Sequence, residues 1–156
     1  MRIAAIDIGT NTVLLLVADV DDRGTIHPIA HEQRFPRLGK SVDAQRKILP
    51  DGFSSLTEIL PQYKSIANEA NADIIVACAT SAVRDATNKS ELIEFLASKT
   101  GIQIEVLSGE DEALWTFRGA LSGLAIPPRE ALVIDIGGGS TEITFAQKEN
   151  SLRRSS

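Results

Sequence analysis

The chain has 156 residues, about the length of one ordinary globular domain. Hydrophobic residues make up 43% and charged residues 24% of the chain, a balance typical of a folded protein and not of a disordered one. With 16 basic and 21 acidic residues the formal net charge is −5, which argues against a dedicated DNA- or RNA-binding module, because such modules usually carry a basic surface. Phosphate ligands remain compatible with this charge, because backbone N–H groups and a bridging metal can hold an anion.

Cysteine content and hydropathy exclude two further classes. Cys78 is the only cysteine in the sequence, so neither an intrachain disulfide nor a metal site built on several thiolates can form. The longest unbroken apolar runs, such as Val13 to Ala18, are far shorter than the roughly 20 residues that span a bilayer. We therefore expect a protein of the reducing cytoplasm, with neither DNA nor a membrane as its partner.

The first 35 residues predict three short strands. Apolar runs at residues 3–8 and 12–18 flank a tight turn at Gly9-Thr10-Asn11, and turn residues precede a third predicted strand over 25–35. Pro28 interrupts the pattern of this third strand. The three together predict an antiparallel meander.

A helical pattern begins at Pro50-Asp51-Gly52, after a segment, residues 37–49, that is expected to be a loop. Apolar residues then recur at three- and four-residue steps from Phe53 to Ala70, which places them on one face of a helix. Pro61 lies inside this pattern and removes the hydrogen bond to the Thr57 carbonyl, so it is expected to kink or split the helix.

Strands and helices alternate beyond this point. Residues 73–79 form a near-continuous apolar strand, typical of a buried parallel position. Asn88-Lys89-Ser90-Glu91 resembles a capping box, which opens a helix that ends at Gly101. A strand over 102–107 follows.

The last third of the chain predicts one more helix and a hairpin. Ser108-Gly109-Glu110-Asp111 is a second capping box, and its helix reaches about Gly123. Residues 131–136 and 141–146 are two further strands, and 151–156 is a short polar tail. The order β-β-β-α-β-α-β-α, followed by a hairpin, predicts an α/β fold with a mixed sheet flanked by helices.

The same order of residues occurs twice, at Ile6–Thr12 and at Ile134–Glu142. Each copy places an aspartate between two isoleucines at a strand end and then turns through glycine and hydroxyl residues into a second strand. Such a turn presents backbone N–H groups as a nest for phosphate oxygens, and an aspartate beside it can hold a hydrated Mg²⁺. One copy alone also fits a plain hairpin turn, but two copies with the same order favour a phosphate site.

At these residues the chain resembles the actin, sugar kinase and Hsp70 superfamily, because the two turns match its first and second phosphate motifs. Within that superfamily it resembles the exopolyphosphatase and guanosine pentaphosphate phosphohydrolase family, Ppx/GppA. Four blocks carry the resemblance, at residues 5–12, 79–88, 104–113 and 135–142, in the order in which the family has them. The resemblance implies a ribonuclease H-like, actin-like ATPase domain.

The family resemblance also implies an activity. It predicts a phosphohydrolase that releases the terminal phosphate of inorganic polyphosphate or guanosine pentaphosphate with Mg²⁺ or another divalent cation. Glu112 matches the glutamate that activates water, and Arg84 matches an arginine that contacts phosphate. The implied metal- and water-positioning carboxylates are Asp7, Asp135 and Glu142. The implied phosphate-binding residues are Gly9, Thr10, Asn11, Thr12, Gly137, Gly138, Gly139, Ser140 and Thr141.

The residues themselves leave other interpretations open. Glu112 lies in the first turn of a predicted helix, where an acid also complements the helix dipole. Arg84 could form a surface salt bridge with Asp85 or with another nearby carboxylate, and Asn11 could shape its turn without taking part in chemistry.

The resemblance predicts a first domain at residues 1–125 and the opening hairpin of a second domain at 131–156. The chain is therefore expected to be the N-terminal portion of a longer, homodimeric enzyme and to show little hydrolysis by itself. Two alternatives remain at this point. One is a phosphotransferase of the same superfamily, and the other is a non-catalytic module that senses guanosine tetra- or pentaphosphate.

Overall fold

The structure is a computed structural model of the chain, and it describes residues 1–124, 130–138, 141–147 and 151–155. The strands are β1 (Arg2–Ile8), β2 (Val13–Val20), β3 (Ile26–Arg34), β4 (Ile74–Ala79), β5 (Ile104–Val106), β6 (Glu130–Ile136), β7 (Thr141–Gln147) and β8 (Ser151–Ser155). The helices are α1 (Gly39–Gln45), α2 (Pro50–Glu69), α3 (Ser81–Asp85), α4 (Lys89–Thr100) and α5 (Gly109–Ser122).

The first sheet has the strand order β3-β2-β1-β4-β5 within the described residues. The predicted meander is confirmed, because β1 pairs antiparallel with β2 and β2 with β3. Strands β4 and β5 run parallel to β1, so the carboxyl ends of all three lie at one edge of the sheet. Asp7 lies at this edge, opposite Leu14 of β2 and Cys78 of β4. Ligands of open α/β sheets bind at such an edge.

One face of this sheet forms the core. Ile6, Val13 and Leu15 are at most 1% exposed, and each side chain of this size contributes roughly 1.5–3 kcal/mol when it is fully buried. Helix α2 covers this face, and the buried Tyr63 hydroxyl donates to the Val13 carbonyl oxygen at 2.9 Å. β4 occupies the predicted parallel position, but Val76 on its other face is 50% exposed, so β4 is not buried on both faces.

Pro61 does not split its helix, because α2 runs unbroken from Pro50 to Glu69. Pro61 lies on the exposed side of α2, so its ring and the carbonyl it frees do not have to fit into the core. Leu60 and Tyr63, which flank it, are both fully buried against the sheet. Packing of these side chains thus keeps the helix continuous through the proline.

Helix α1 lies within the segment that was expected to be a loop. Leu38 and Val42 are four residues apart and both are buried, which is the spacing of a short amphipathic helix. Gly39 lies against the first glycine turn, where its N–H donates to the Thr10 carbonyl oxygen at 2.9 Å. A Cβ at Gly39 would lie 2.4 Å from Thr10 Cγ2, so this contact requires glycine.

The two predicted capping boxes differ in outcome. Ser108 caps α5, because its hydroxyl oxygen accepts from the Asp111 N–H at 3.1 Å and its hydroxyl donates to the Asp111 carboxylate at 2.6 Å. The prediction for Asn88 is wrong, since its side chain makes no cap bond and instead pairs with both backbone groups of Ile48. Gly101 ends α4 in the left-handed conformation, as predicted.

The second sheet contains the predicted hairpin and one more strand. β6 and β7 pair antiparallel, and β8 adds to β7 where a polar tail was expected. Ile134 and Ile136 on one face of β6 are 55% and 79% exposed, whereas Asp135 on the opposite face is half-buried and contacts α5. Among the helices of the described part of the chain, none is long and apolar enough to cross a membrane.

Candidate active site

The two repeated turns line one cavity of about 420 Å³ at the carboxyl edge of the first sheet. Residues from the end of β1, the first turn, the start of α3, helix α5 and the second turn surround it. They are Asp7, Gly9, Thr10, Asn11, Thr12, Leu14, Thr80, Ser81, Glu112, Asp135, Ile136, Gly137 and Gly138. The structure therefore places both turns and Glu112 around the same space.

The turns also contact each other directly. A Cβ on Gly138 would clash with the side-chain amide of Asn11 and would lie 3.4 Å from Thr10 Cβ, so a larger residue fits here only if Asn11 moves. Asn11 is part of the first turn, and its side chain contacts the second turn at Gly138.

Internal hydrogen bonds fix the first turn. The Gly9 N–H donates to the Thr12 carbonyl oxygen at 2.9 Å, so this N–H closes the turn and does not face a ligand. The Asn11 carbonyl oxygen accepts from the Arg37 N–H at 3.1 Å, next to the bond between Thr10 and α1. Arg37 and Gly39, in the segment that was expected to be a loop, thus hold the first turn in place through backbone hydrogen bonds.

A pair of hydroxyl groups extends the cavity wall beyond the predicted residues. The hydroxyls of Thr10 and Ser81 lie 2.6 Å apart and are buried, and Thr80 beside Ser81 also lines the cavity. Sequence reasoning missed Thr80 and Ser81. They directly follow β4, so the rule that ligands bind beyond the carboxyl ends of parallel strands was the signal for them.

Glu112 lies in the first turn of α5 and is held by Arg84. Arg84 Nη1 donates to Glu112 Oε2 at 2.5 Å, and both side chains are largely buried. The same nitrogen lies 3.3 Å from the Leu107 carbonyl oxygen, whereas Asp85 is a more distant partner of Arg84 at 3.8 Å. Arg84 is not among the residues that line the cavity, and its contact with phosphate stays a prediction.

Asp7 is a half-buried carboxylate with one buried oxygen that lacks a compensating donor. Burial, with smaller contributions from the neighbouring carboxylates of Glu112 and Asp135, raises the pKa of Asp7 to about 6. Its Oδ1 atom is buried and has no hydrogen-bond partner among the described residues. An ionised oxygen in this position is costly unless a cation or a proton satisfies it.

These carboxylates fit a hydrated divalent cation. Among the described side chains, no group of three or more His, Cys, Asp and Glu residues could hold a metal ion alone. Mg²⁺ needs no such cage, because it usually keeps several waters and binds through one or two carboxylates and substrate phosphates. Asp7 and Asp135, both in the cavity wall, are the described residues that would hold it.

The structure describes only some of the residues that were predicted to bind phosphate or metal in and after the second turn. Gly137 and Gly138 line the cavity, and Gly139 and Ser140 lie outside the described residues. Thr141 begins β7 and does not line the cavity. The backbone of Glu142 pairs with Asp135 across the hairpin, but its side chain lies outside what the structure describes.

The contact between the turns gives a testable coupling. Because the added methyl group displaces Asn11, Gly138→Ala is expected to destabilise the protein less when Asn11→Ala is also present. We expect a favourable interaction of about 1 kcal/mol in a double-mutant cycle of unfolding free energies, measured by denaturant titration of the full-length protein. Effects that add within about 0.5 kcal/mol would show that the turns do not touch.

The mixed five-stranded sheet, with a second sheet whose first two strands are joined by a matching turn, defines an actin-like ATPase domain. The family model of the Ppx/GppA phosphatase family matches residues 16–156, and the chain belongs to this family.

Relatives of known name and structure agree with this assignment. Exopolyphosphatase 2 of Mycobacterium tuberculosis is 36% identical over 156 residues, which cover 95% of this chain and 49% of that protein. Exopolyphosphatase 1 of the same organism is 34% identical, over 96% of this chain and 43% of that protein. This chain thus spans about half the length of the curated relatives it matches.

Two crystal structures have the same fold. An exopolyphosphatase from Cytophaga hutchinsonii superposes with a TM-score of 0.89 at 32% identity, over 99% of this chain and 49% of that one. The Aquifex aeolicus member of the Ppx/GppA family gives a TM-score of 0.85 at 31% identity, over 99% of this chain and 50% of that one.

Proposed function

We propose that the full-length protein carrying this chain is a phosphohydrolase that releases the terminal phosphate of inorganic polyphosphate. The observation that carries the proposal is that Glu112 and both repeated turns line one cavity. The names of the relatives, which are exopolyphosphatases, support the substrate class.

In this proposal the turns bind the phosphate chain. Backbone N–H groups of Thr10 to Thr12 on one side and of Gly137 to Ser140 on the other donate to phosphate oxygens. The Thr12 hydroxyl in the cavity wall adds a donor, and the Gly9 N–H keeps the first turn closed. The chain is acidic overall, so local backbone donors, and not bulk charge, must attract the polyanion.

Glu112 acts as the general base. Its carboxylate takes a proton from a water molecule as the water oxygen attacks the terminal phosphorus, and the bridging P–O bond breaks to release orthophosphate. A general base must lie within about 2.6–3.2 Å of that water, and the contact with Arg84 fixes the carboxylate for this purpose.

Asp7, Asp135 and Glu142 are the residues that would hold a divalent cation, Mg²⁺ being the expected one. When bound, such an ion neutralises phosphate charge that develops in the transition state. Asp7 is the best supported of the three, because its unpaired buried oxygen needs a positive partner.

Guanosine pentaphosphate is the second candidate substrate, because its terminal phosphoanhydride requires the same chemistry. A phosphotransferase would use the same site with an acceptor hydroxyl in place of water, and a sensing module would bind the nucleotide without cleaving it. The four matched sequence blocks favour hydrolysis over both.

A phosphate-release assay on the full-length protein tests the proposal. We expect orthophosphate from polyphosphate, from guanosine pentaphosphate or from both, dependent on a divalent cation and unchanged by added sugar or glycerol. Phosphorylation of the acceptor would establish transfer instead of hydrolysis. Tight nucleotide binding without release from either substrate would favour the sensing module.

The domain division belongs to the same proposal. Residues 1–125 form the first domain, and residues 131–156 begin the second, which supplies the opposite wall of the cleft. In support, β6, β7 and β8 pair with one another and form a sheet separate from β1–β5 within the described residues. A homodimer in the cytoplasm remains a prediction from the sequence.

A further inference from the structure

A second, smaller cavity of about 260 Å³ lies against the first. The two cavities share Asp7, Thr80, Glu112 and Asp135, so these side chains separate them. Thr116 of α5 lines the smaller cavity but not the larger one. It therefore contacts the shared carboxylates from the side of the smaller cavity.

Two periodicities bring Thr116 to this position. Thr116 follows Glu112 by four residues, so both lie on the same face of α5. Alternation along β6 turns Asp135 towards α5, whereas Ile134 and Ile136 on either side of it are exposed. The Thr116 hydroxyl consequently donates to Asp135 Oδ2, at 3.3 Å.

We propose that Thr116 is a positioning residue for Asp135. Its hydrogen bond ties one carboxylate oxygen to α5 and leaves the other for the larger cavity, which Asp135 also lines. Helix α5 thus carries Glu112 and also orients Asp135 at the end of β6. The inference rests on the proposed function, in which Asp135 is one of the residues that hold the divalent cation.

Residues of this kind act through their partner, so their loss weakens metal binding or turnover while the fold persists. If the Thr116 side chain only filled space, valine, which has nearly the same size and shape, could replace it with little change in metal binding or turnover. Valine and serine therefore separate the two roles, because valine keeps the shape and serine keeps the hydroxyl.

The experiment compares Thr116→Val, Thr116→Ser and Thr57→Val in the full-length protein. Thr57 is a matched control, because its hydroxyl also belongs to a half-buried helical threonine and donates to the Phe53 carbonyl oxygen at 2.7 Å, outside both cavities. The readouts are kcat and KM for phosphate release from polyphosphate, and Mn²⁺ binding without substrate, followed by electron paramagnetic resonance.

We expect Thr116→Val to lower kcat or weaken Mn²⁺ binding by about 10-fold with little change in KM for polyphosphate. Thr116→Ser and Thr57→Val should stay within about 2-fold of wild type in both readouts. Equal behaviour of Thr116→Val and Thr57→Val overturns the inference, as does equal loss in Thr116→Val and Thr116→Ser. A wild-type protein that releases no phosphate refutes the proposed function alone, since Mn²⁺ binding still tests Thr116.

Discussion

Glu112→Gln is expected to lower kcat for phosphate release from polyphosphate by about 1,000-fold while polyphosphate binding changes only a few-fold. Glutamine has the shape of glutamate and can still accept a hydrogen bond from Arg84 through its amide oxygen, but it cannot take a proton from water. Steady-state kinetics and equilibrium binding to the full-length protein measure the two effects separately.

The matched control for this prediction is Glu110→Gln. Glu110 lies in the same first turn of α5 but is exposed and does not line the cavity, so its replacement should leave turnover unchanged. If Glu112 only complemented the helix dipole, both variants would behave alike and both would retain turnover. Near-normal kcat in Glu112→Gln would remove Glu112 from the mechanism.

Asp7→Asn is expected to stabilise the cation-free protein near pH 7 and to abolish phosphate release. The folded protein holds the Asp7 proton up to about pH 6, whereas the pKa of the unfolded chain is 3.8. Between these values the folded state binds more protons, so the contribution of Asp7 to stability falls as the pH rises and stays unfavourable above pH 6. Asparagine removes that cost, which is at most about 3 kcal/mol for a pKa that rises from 3.8 to about 6.

Thermal unfolding of the full-length protein in EDTA measures this effect. The gain in Tm should be present near pH 7 and absent near pH 4, where Asp7 is protonated and resembles the amide. Asp22→Asn is the control, because Asp22 is exposed in the turn after β2. A gain of equal size at both pH values would show that the charge of Asp7 is not its cause.

The sequence predicted those parts of the fold that depend on local patterns. The meander of β1–β3, the Ser108 cap and the Gly101 stop follow from alternation, side-chain oxygens and a left-handed glycine, each confined to a few residues. Helix α1 and Asn88 depend on distant contacts. The buried faces of Leu38 and Val42, and the bonds between Asn88 and Ile48, exist only once the chain has folded.

The candidate site likewise has a part that the sequence predicted and a part that only the structure shows. The turns and Glu112 could be named from the sequence, because glycine, hydroxyl and acidic residues stand in a recognisable order. The turns and Glu112 line one cavity because of the order in which the strands pair, and no single segment of the sequence determines that order. For the same reason the contact of Arg84 with Glu112, and not with Asp85 at close range, emerges only in three dimensions.

Thr116 shows what local reasoning leaves out. Its type and position are ordinary for a helix, and it acquires a partner only because β6 lies against α5 in the folded protein. Residues that act through such contacts between distant segments carry no motif of their own. They are found from hydrogen bonds and cavity walls.

A crystal structure of the full-length Glu112→Gln variant with polyphosphate and Mg²⁺ tests the central claim most directly. We predict that backbone N–H groups of both turns lie within hydrogen-bond distance of phosphate oxygens, with a water molecule between the terminal phosphorus and residue 112. Polyphosphate bound on another surface, or held by one turn while the other faces solvent, would contradict the account.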